Sequence, residues 1–314
     1  MKYYKPIKTV FIGTPDFGVP SLRALIKNKR FDVNLIITQP DMPAGRKQII
    51  TASPVKQVAT DYKIKILQPK KIKTIKDELT EINPKIIVII AYAQIIPKDI
   101  LDIPKFGCMN LHGSLLPKYR GAGVIQAPIV NGDEYSGLTL MKIDEKLDTG
   151  PIIAQLKIKL DNQETSETLY DKLSTKSADF LLDSLEKYID GEIKPIPQNE
   201  TEASYIGKIK KSDGLIEWNK PAEKIEKFVR AMYPWPSAWT WHKGKQVKIL
   251  EVQQKTIEID TYKPGKTFIY NHGLAVQCGQ DSLIIKKLQI EGKKILTAED
   301  FMRGNSDFVG TILS

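Results

Sequence analysis

Residues 85–90 read KIIVII, an almost wholly β-branched run with no polar face. Six residues cannot span a bilayer, which takes roughly 20 in a helix, and β-branched side chains favour strand over helix. A strand this apolar must be covered on both sides, as in parallel sheets packed between helices. The N-terminal part of the chain is thereby constrained to a layered α/β arrangement. Residues 8–13 (KTVFIG) form a second buried run, and Thr14-Pro15-Asp16 starts a helix with proline in its first turn. That helix is expected to reach about residue 29, followed by a strand at 33–38 and a helix at 53–62. Further strands are expected at 106–112, 137–143 and 152–159, then a long amphipathic helix at 166–189. Such alternation implies a doubly wound, mostly parallel sheet.

A chain of 314 residues exceeds what one core usually fills. Near residue 191 the composition changes: GEIKPIPQNETEASY holds two prolines and no apolar period. We read 1–190 as a first domain, 191–206 as a linker and 207–314 as a second domain. The second starts with a helix at 222–233, which ends at Pro234-Trp235-Pro236. Short strands are expected at 246–252, 256–260, 266–270, 274–277 and 282–290, with a terminal helix near Ala298. Five short strands separated by glycine-containing turns suggest a small OB-like β-barrel. Residue 206 onward carries 18 Lys+Arg against 12 Asp+Glu, within a net charge of +10. This excess suits a polyanion such as RNA, and a lysine-rich solvated surface gives the same count.

Cys108 and Cys278 stand far apart and outside any CxxC, so neither a disulfide framework nor a zinc site is indicated. A reducing compartment fits, most simply the cytoplasm. The N-terminus enters a strand directly, without the apolar h-region of a secretion signal. The turn Gly13-Thr14-Pro15-Asp16-Phe17-Gly18 lacks G-x-G-x-x-G spacing and a following Lys-Ser, so it reads as a helix cap rather than a nucleotide loop. His242 and His272 sit in turn-like contexts without acidic neighbours and read as surface residues. The aromatic cluster of Tyr233, Trp235, Trp239 and Trp241 reads as packing at a domain junction, with base stacking as the alternative.

The remaining histidine lies in MNLHGSLLPKYRG, residues 109–121. In a strand, residues two apart point to one side, so Asn110 and His112 share a pocket while Leu111 packs behind. Gly113 ends the strand and permits close approach of backbone. Two donors side by side at a strand end suit a place where negative charge develops on an oxygen. Asp148 is the candidate carboxylate among three in the loop 142–151, because Thr149-Gly150-Pro151 builds a defined turn after it. The connection 39–52 (QPDMPAGRKQIITA) is longer than a βα turn requires, is stiffened by Pro40 and Pro43, and carries Arg46 and Lys47 near its tip.

With these motifs in order, the chain resembles the methionyl-tRNA formyltransferases of the folate-dependent formyltransferase superfamily. GTPDFGVPSL, QPDMPAGR, NLHGSLLPKYRGAG, LDTGPI, TLYDKL and AMYPWPSAW carry the likeness over nearly the whole length. The resemblance implies formyl transfer from 10-formyltetrahydrofolate to methionine on initiator methionyl-tRNA, with no metal required. It implies that Asn110 and His112 stabilise the oxyanion and that Asp148 orients His112 and relays the amine proton. Ser114, Leu115, Leu116 and Pro117 would line the folate site with backbone groups. Arg46, beside Lys47, would contact the acceptor end of tRNA. The protein is expected to act as a monomer in the cytoplasm, bound to no membrane. Met42 stands where the family often has a basic residue, Ala93 where it often has glycine, Lys118-Tyr119 where Arg-Trp is frequent, and Val124 where proline is frequent. These departures bear on loop affinity and leave Asn110, His112 and Asp148 intact. Another folate-dependent formyltransferase, a formyltetrahydrofolate hydrolase, and a non-catalytic RNA-binding protein are the alternatives.

Overall fold

Strand β1 (Ile7–Gly13) is flanked on one side by β2 (Phe31–Ile37), which begins two residues earlier than the apolar run suggests. The computed structural model describes residues 5–45, 48–255 and 262–314. It divides into two units: Met1–Val124, Ser136–Ile158 and Tyr170–Ile206 form the first, and Ile125–Tyr135, Lys159–Leu169 and Gly207–Ser314 the second. After β2 the chain makes a small hairpin, β3 (Met42–Ala44) with β4 (Ile49–Thr51). It continues through β5 (Lys65–Leu67), β6 (Ile86–Ile90), β7 (Cys108–His112), β8 (Arg120–Gly121), β9 (Tyr135–Lys142), β10 (Ile152–Lys159) and β11 (Tyr205–Ile206). Helices α1 (Val19–Lys27), α2 (Pro54–Asp61), α3 (Lys76–Ile82) and α4 (Lys98–Leu101) lie between the strands. Helix α5 (Gln126–Asn131) precedes β9, and α6 (Ser166–Ile189) follows β10 with the expected bounds.

Seven strands form the main sheet in the order β10-β9-β7-β6-β1-β2-β5. Pairs β1–β2, β2–β5, β1–β6 and β6–β7 are parallel, and β9 runs antiparallel to β7. All five residues of β6 are buried, as its unbroken apolar run requires. Ser53 caps α2 by accepting from the Lys56 N–H, and Pro54 follows at the first helical position. The Thr14 hydroxyl accepts from the Gln39 N–H, which fastens the first βα turn to the second. The chain winds outward from β1 through β2 and β5, then returns to place β6 on the other side of β1. This reversal opens a crevice at the carboxyl ends of the strands, where ligands of such sheets bind.

The second unit holds α7 (Ala222–Met232), β12 (Ala238–His242), β13 (Lys245–Lys255), β14 (Thr267–Tyr270), β15 (Gly273–Gln277), β16 (Ser282–Ile290), β17 (Leu296–Thr297) and α8 (Ala298–Gly304). Its sheet runs β12-β13-β16-β15-β14, every neighbouring pair antiparallel, with β17 on β16. Helix α7 packs on β13 and on α5, and Ile225, Val229, Val247, Ile249, Leu274 and Phe301 share one core. The two sheet edges are joined by residues 311–314. On β12, Trp241 donates to the Ser314 carbonyl at 2.7 Å and accepts from the Ser314 N–H at 3.2 Å. Beside β14, Leu313 N–H donates to Gly265 O and Thr267 N–H to Thr311 O, each at 2.9 Å. The sheet is thereby closed into a small barrel, whose edges are no longer free to pair with other chains.

Two sequence readings change here. Trp239 and Trp241 belong to β12, a strand that the apolar pattern does not announce, and their rings meet edge to face at 5.4 Å. His242 is half-buried, with its ring on Phe308 at 4.5 Å, and burial holds its imidazole below the ordinary range. Only His272 is the exposed residue expected. The strand expected at 256–260 lies outside the described residues. Among those described, no helix is long and apolar enough to cross a membrane.

Candidate active site

Strand β7 delivers two side chains to the carboxyl end of the sheet. Asn110 is half-buried, His112 is 6% exposed, and Leu111 between them is in the core. Asp148 comes from the loop between β9 and β10 with a φ of +53°. The left-handed conformation costs an L-residue about 1–2 kcal/mol, so neighbours must hold it there. The Gly121 N–H donates to Asp148 Oδ2 at 2.8 Å, and the Gln198 side-chain amide donates to the carbonyls of Asp148 (2.8 Å) and Gly150 (2.7 Å). Asn110 Nδ2 stands 3.5 Å from Asp148 Oδ1, and His112 Nδ1 stands 3.8 Å from Oδ2. Both separations exceed a good hydrogen bond. The carboxylate thus faces the Asn110 amide and the His112 ring edge without being consumed by either.

The other nitrogen of His112, Nε2, lies 2.9 Å from the Tyr119 carbonyl. A carbonyl only accepts, so Nε2 carries a proton and Nδ1 is the edge turned toward Asp148. Tyr119 itself has a φ of +62°, and Gly121 follows at +109°. A Cβ on Gly121 would meet the Ile206 carbonyl oxygen at 2.3 Å, so only glycine fits. Both supports of the site therefore come from one strained turn.

Residues 114–117 of that turn are bonded largely within the protein. Thr139 Oγ1 donates to the Ser114 carbonyl and accepts from the Leu116 N–H, while Gln155 Nε2 donates to the Leu116 carbonyl. Lys118 N–H donates to Leu115 O and Ser204 N–H to Pro117 O. Each of the four carbonyls thus already accepts one bond. Ser114 and Leu116 are buried, and Leu115 and Pro117 are partly so. Arg46 and Lys47 lie outside the described residues. Among the described residues, no group of three or more His, Cys, Asp and Glu is placed to hold a metal.

The sequence reading missed Arg120 and Gln198. Arg120 is fully buried and bonds through its side chain to Gln198, Glu200 and the Tyr205 hydroxyl. The segment containing those partners also pairs β11 in parallel with β8. An arginine in a glycine-rich turn and a glutamine in a proline-rich stretch carry no periodic signal. A Gln followed at once by polar residues looks like any solvated linker.

A family model described as formyl transferase matches residues 7–185, and one described as formyl transferase, C-terminal domain, matches 208–306. A methionyl-tRNA formyltransferase from Lachnospira eligens is 41% identical over 314 residues, covering 98% of this chain and 99% of that protein. Among solved structures, an N-formyltransferase from Helicobacter canadensis, in complex with folinic acid and dTDP-3-aminofucose, superposes with a TM-score of 0.68. It is 22% identical and covers 89% of this chain and 98% of its own. HypX from Aquifex aeolicus, in complex with tetrahydrofolic acid, gives a TM-score of 0.61 at 16% identity. The match takes in 97% of this chain but only 48% of HypX, so this chain spans about half of that protein. These two likenesses concern the fold. Tandem matches to both halves of the enzyme, and end-to-end identity to a curated relative, establish that the chain belongs to the methionyl-tRNA formyltransferase family.

Proposed function

We propose that this protein transfers the formyl group of 10-formyltetrahydrofolate to the α-amino group of methionine carried by initiator tRNA. The observation that carries the reading is the convergence of Asn110, His112 and Asp148 at the carboxyl end of β7. An amide donor and an imidazole edge beside a carboxylate match what attack by an amine on a formyl carbon requires. Asn110 Nδ2 stabilises the oxygen as it becomes negative, joined by His112 Nδ1 when the ring carries its second proton. Asp148 takes the proton that the attacking nitrogen must lose. When the tetrahedral centre collapses, the bond to N10 of the folate breaks and a proton returns to that nitrogen. His112 keeps its orientation throughout, because the Tyr119 carbonyl holds Nε2.

The folate co-substrate supplies the formyl group. Since the carbonyls of Ser114, Leu115, Leu116 and Pro117 already accept bonds, we assign these residues to shaping the folate site more than to bonding folate through those oxygens. Arg46 and Lys47 contact the acceptor end of the tRNA, and the basic surface of the barrel unit adds phosphate contacts. The protein acts as a monomer in the cytoplasm, where its two buried, unpaired cysteines stay reduced.

The test offers 10-formyltetrahydrofolate with charged initiator tRNA, charged elongator tRNA, a sugar nucleotide bearing an amine, or water alone. Formylation of initiator methionyl-tRNA at a rate well above the other three is expected. Preferred transfer to the sugar, or release of formate into water, would overturn the reading. Arg46→Ala is expected to raise KM for tRNA strongly and leave folate binding unchanged. Equal kinetics with the parent would reduce that arginine to a solvated loop residue.

A further inference from the structure

We propose that Gln198, clamped by the buried Arg120 that Glu200 holds in turn, is a positioning residue that sets the Asp148 carboxylate for formyl transfer. The inference rests on the proposed role of Asp148. Gln198 uses its two functional ends in opposite directions. Its Oε1 accepts from Arg120 Nε at 3.1 Å and Nη2 at 2.9 Å. Its Nε2 donates to the backbone carbonyls of Asp148 at 2.8 Å and Gly150 at 2.7 Å. Arg120 is held in turn by Glu200, whose two oxygens accept from Nη1 at 2.9 Å and Nη2 at 2.8 Å, and by the Tyr205 hydroxyl at 2.7 Å from Nη1. All five guanidinium donors can be matched by these five contacts. A fork of this shape fixes the plane of the Gln198 amide in a way a lysine cannot.

The backbone of the same segment holds the other supports of the site. Ser204 accepts from the Arg120 N–H through its carbonyl and from the Tyr119 N–H through Oγ, at 2.8 and 2.9 Å. The Ala122 N–H donates to the Ile206 carbonyl at 3.1 Å, beside the β8–β11 pairing. Tyr119 presents the carbonyl that holds His112, and Gly121 presents the N–H that holds Asp148. Residues 198–206 therefore act as a strap over the turn 117–122, and Gln198 extends its grip to the loop of Asp148. Asp148 has little freedom of its own to find this position, since its backbone is left-handed. Gln198 is the side chain that bonds its backbone from across the strap.

Gln198→Glu separates the two halves of this function. A glutamate keeps acceptors for Arg120 but loses both hydrogens that reach Asp148 O and Gly150 O. In the full-length protein, kcat for formylation is expected to fall about 10- to 100-fold, the scale of a small misplacement at a reacting centre. KM for tRNA and for folate should stay within about twofold. In an Asp148→Asn background the same substitution should have almost no further effect, because the group it positions is gone. Glu200→Gln, at a side chain 67% exposed, loosens the clamp from the surface and should lower kcat in the same direction by a smaller factor. Thermal melts of each variant report folding. Parental kcat in folded Gln198→Glu, or an equal loss in both backgrounds, would overturn the proposal. Should Gln198→Glu not fold, parental kcat in Glu200→Gln would overturn it instead. A harmless Asp148→Asn would refute the catalytic reading itself, an outcome distinct from either.

Discussion

Asp148→Asn is the substitution that isolates charge from shape. Asparagine is nearly isosteric and tolerates the left-handed backbone at φ +53° better than most residues. Its oxygen can still accept from the Gly121 N–H, and its backbone carbonyl can still accept from Gln198. What disappears is the negative charge 3.8 Å from His112 Nδ1. The side chains of His112 and Asp148 are only 6% and 12% exposed, so bulk-water screening is too strong a description. With an effective dielectric of about 20, the carboxylate and an imidazolium, the form in which His112 carries protons on both nitrogens as charge develops, attract at that distance by on the order of 4 kcal/mol. At 1.36 kcal/mol per decade, losing it slows the chemical step by about 10³-fold. With its oxygen kept on the Gly121 N–H, the amide also places its NH₂ group against Asn110 Nδ2, a donor that needs an acceptor. Single-turnover formylation with saturating folate donor and methionyl-tRNA measures this step directly. Folate binding, followed separately by fluorescence, should change little. A folded variant that lost less than tenfold in single-turnover rate would refute the reasoning, since the carboxylate would then be neither proton acceptor nor partner of the imidazole.

Gly121→Ala should abolish most activity, because its Cβ would strike the Ile206 carbonyl while the N–H that holds Asp148 is displaced; near-parental turnover in a folded variant would contradict this. Deleting residues 311–314 reopens both barrel edges and removes Leu313 from the core, so the thermal midpoint of the barrel unit should drop by several degrees. An unchanged melting curve would show that the closure contributes no stability. Burial pushes the Cys108 and Cys278 thiols up to about 12. Neither should react with a disulfide reagent at pH 8 in the native protein, and both should react on unfolding. The raised values also fix the sign of the pH dependence: the unfolded thiols ionise first, so their contribution to stability is full below about pH 9 and is lost toward pH 12. Urea midpoints measured from pH 8 upward should therefore decline, and less steeply in Cys278→Ala.

The sheet was legible because its signals are local. Residues 85–90 announce burial on both faces by themselves, and the α6 periodicity over 166–189 needs no partner to be recognised. Strand β12 was not legible, since Trp-Pro-Ser-Ala-Trp-Thr-Trp reads as an aromatic cluster before it reads as a strand. Its strand character comes from pairing with β13, in the register Trp239 to Lys248 and Trp241 to Gln246. Barrel closure was equally hidden. Residues 311–314 have no pattern of their own, and their backbone bonds reach Trp241 and Gly265, which are distant in sequence.

The candidate site divides along the same physical line. Asn110 and His112 can be paired from the two-residue period of a strand, and Asp148 could be singled out by the turn after it. Nothing local says that His112 is steadied through Tyr119, or Asp148 through Gly121 and Gln198, because these partners are fixed by tertiary hydrogen bonds. Arg120 illustrates why such residues escape a sequence reading. Charged residues are almost never fully buried unless paired, so the default for an arginine between Tyr119 and Gly121 is an exposed one. Burying its charge alone would cost several kcal/mol, and that cost is offset only by acceptors supplied 78 to 85 positions later. An apolar plug of similar size would fill the same space with less desolvation. It would not fix the plane of the Gln198 amide, and without that plane the carbonyls of Asp148 and Gly150 have no fixed donor. The buried charge is better explained by the geometry it imposes on the Asp148 loop than by any stability it adds.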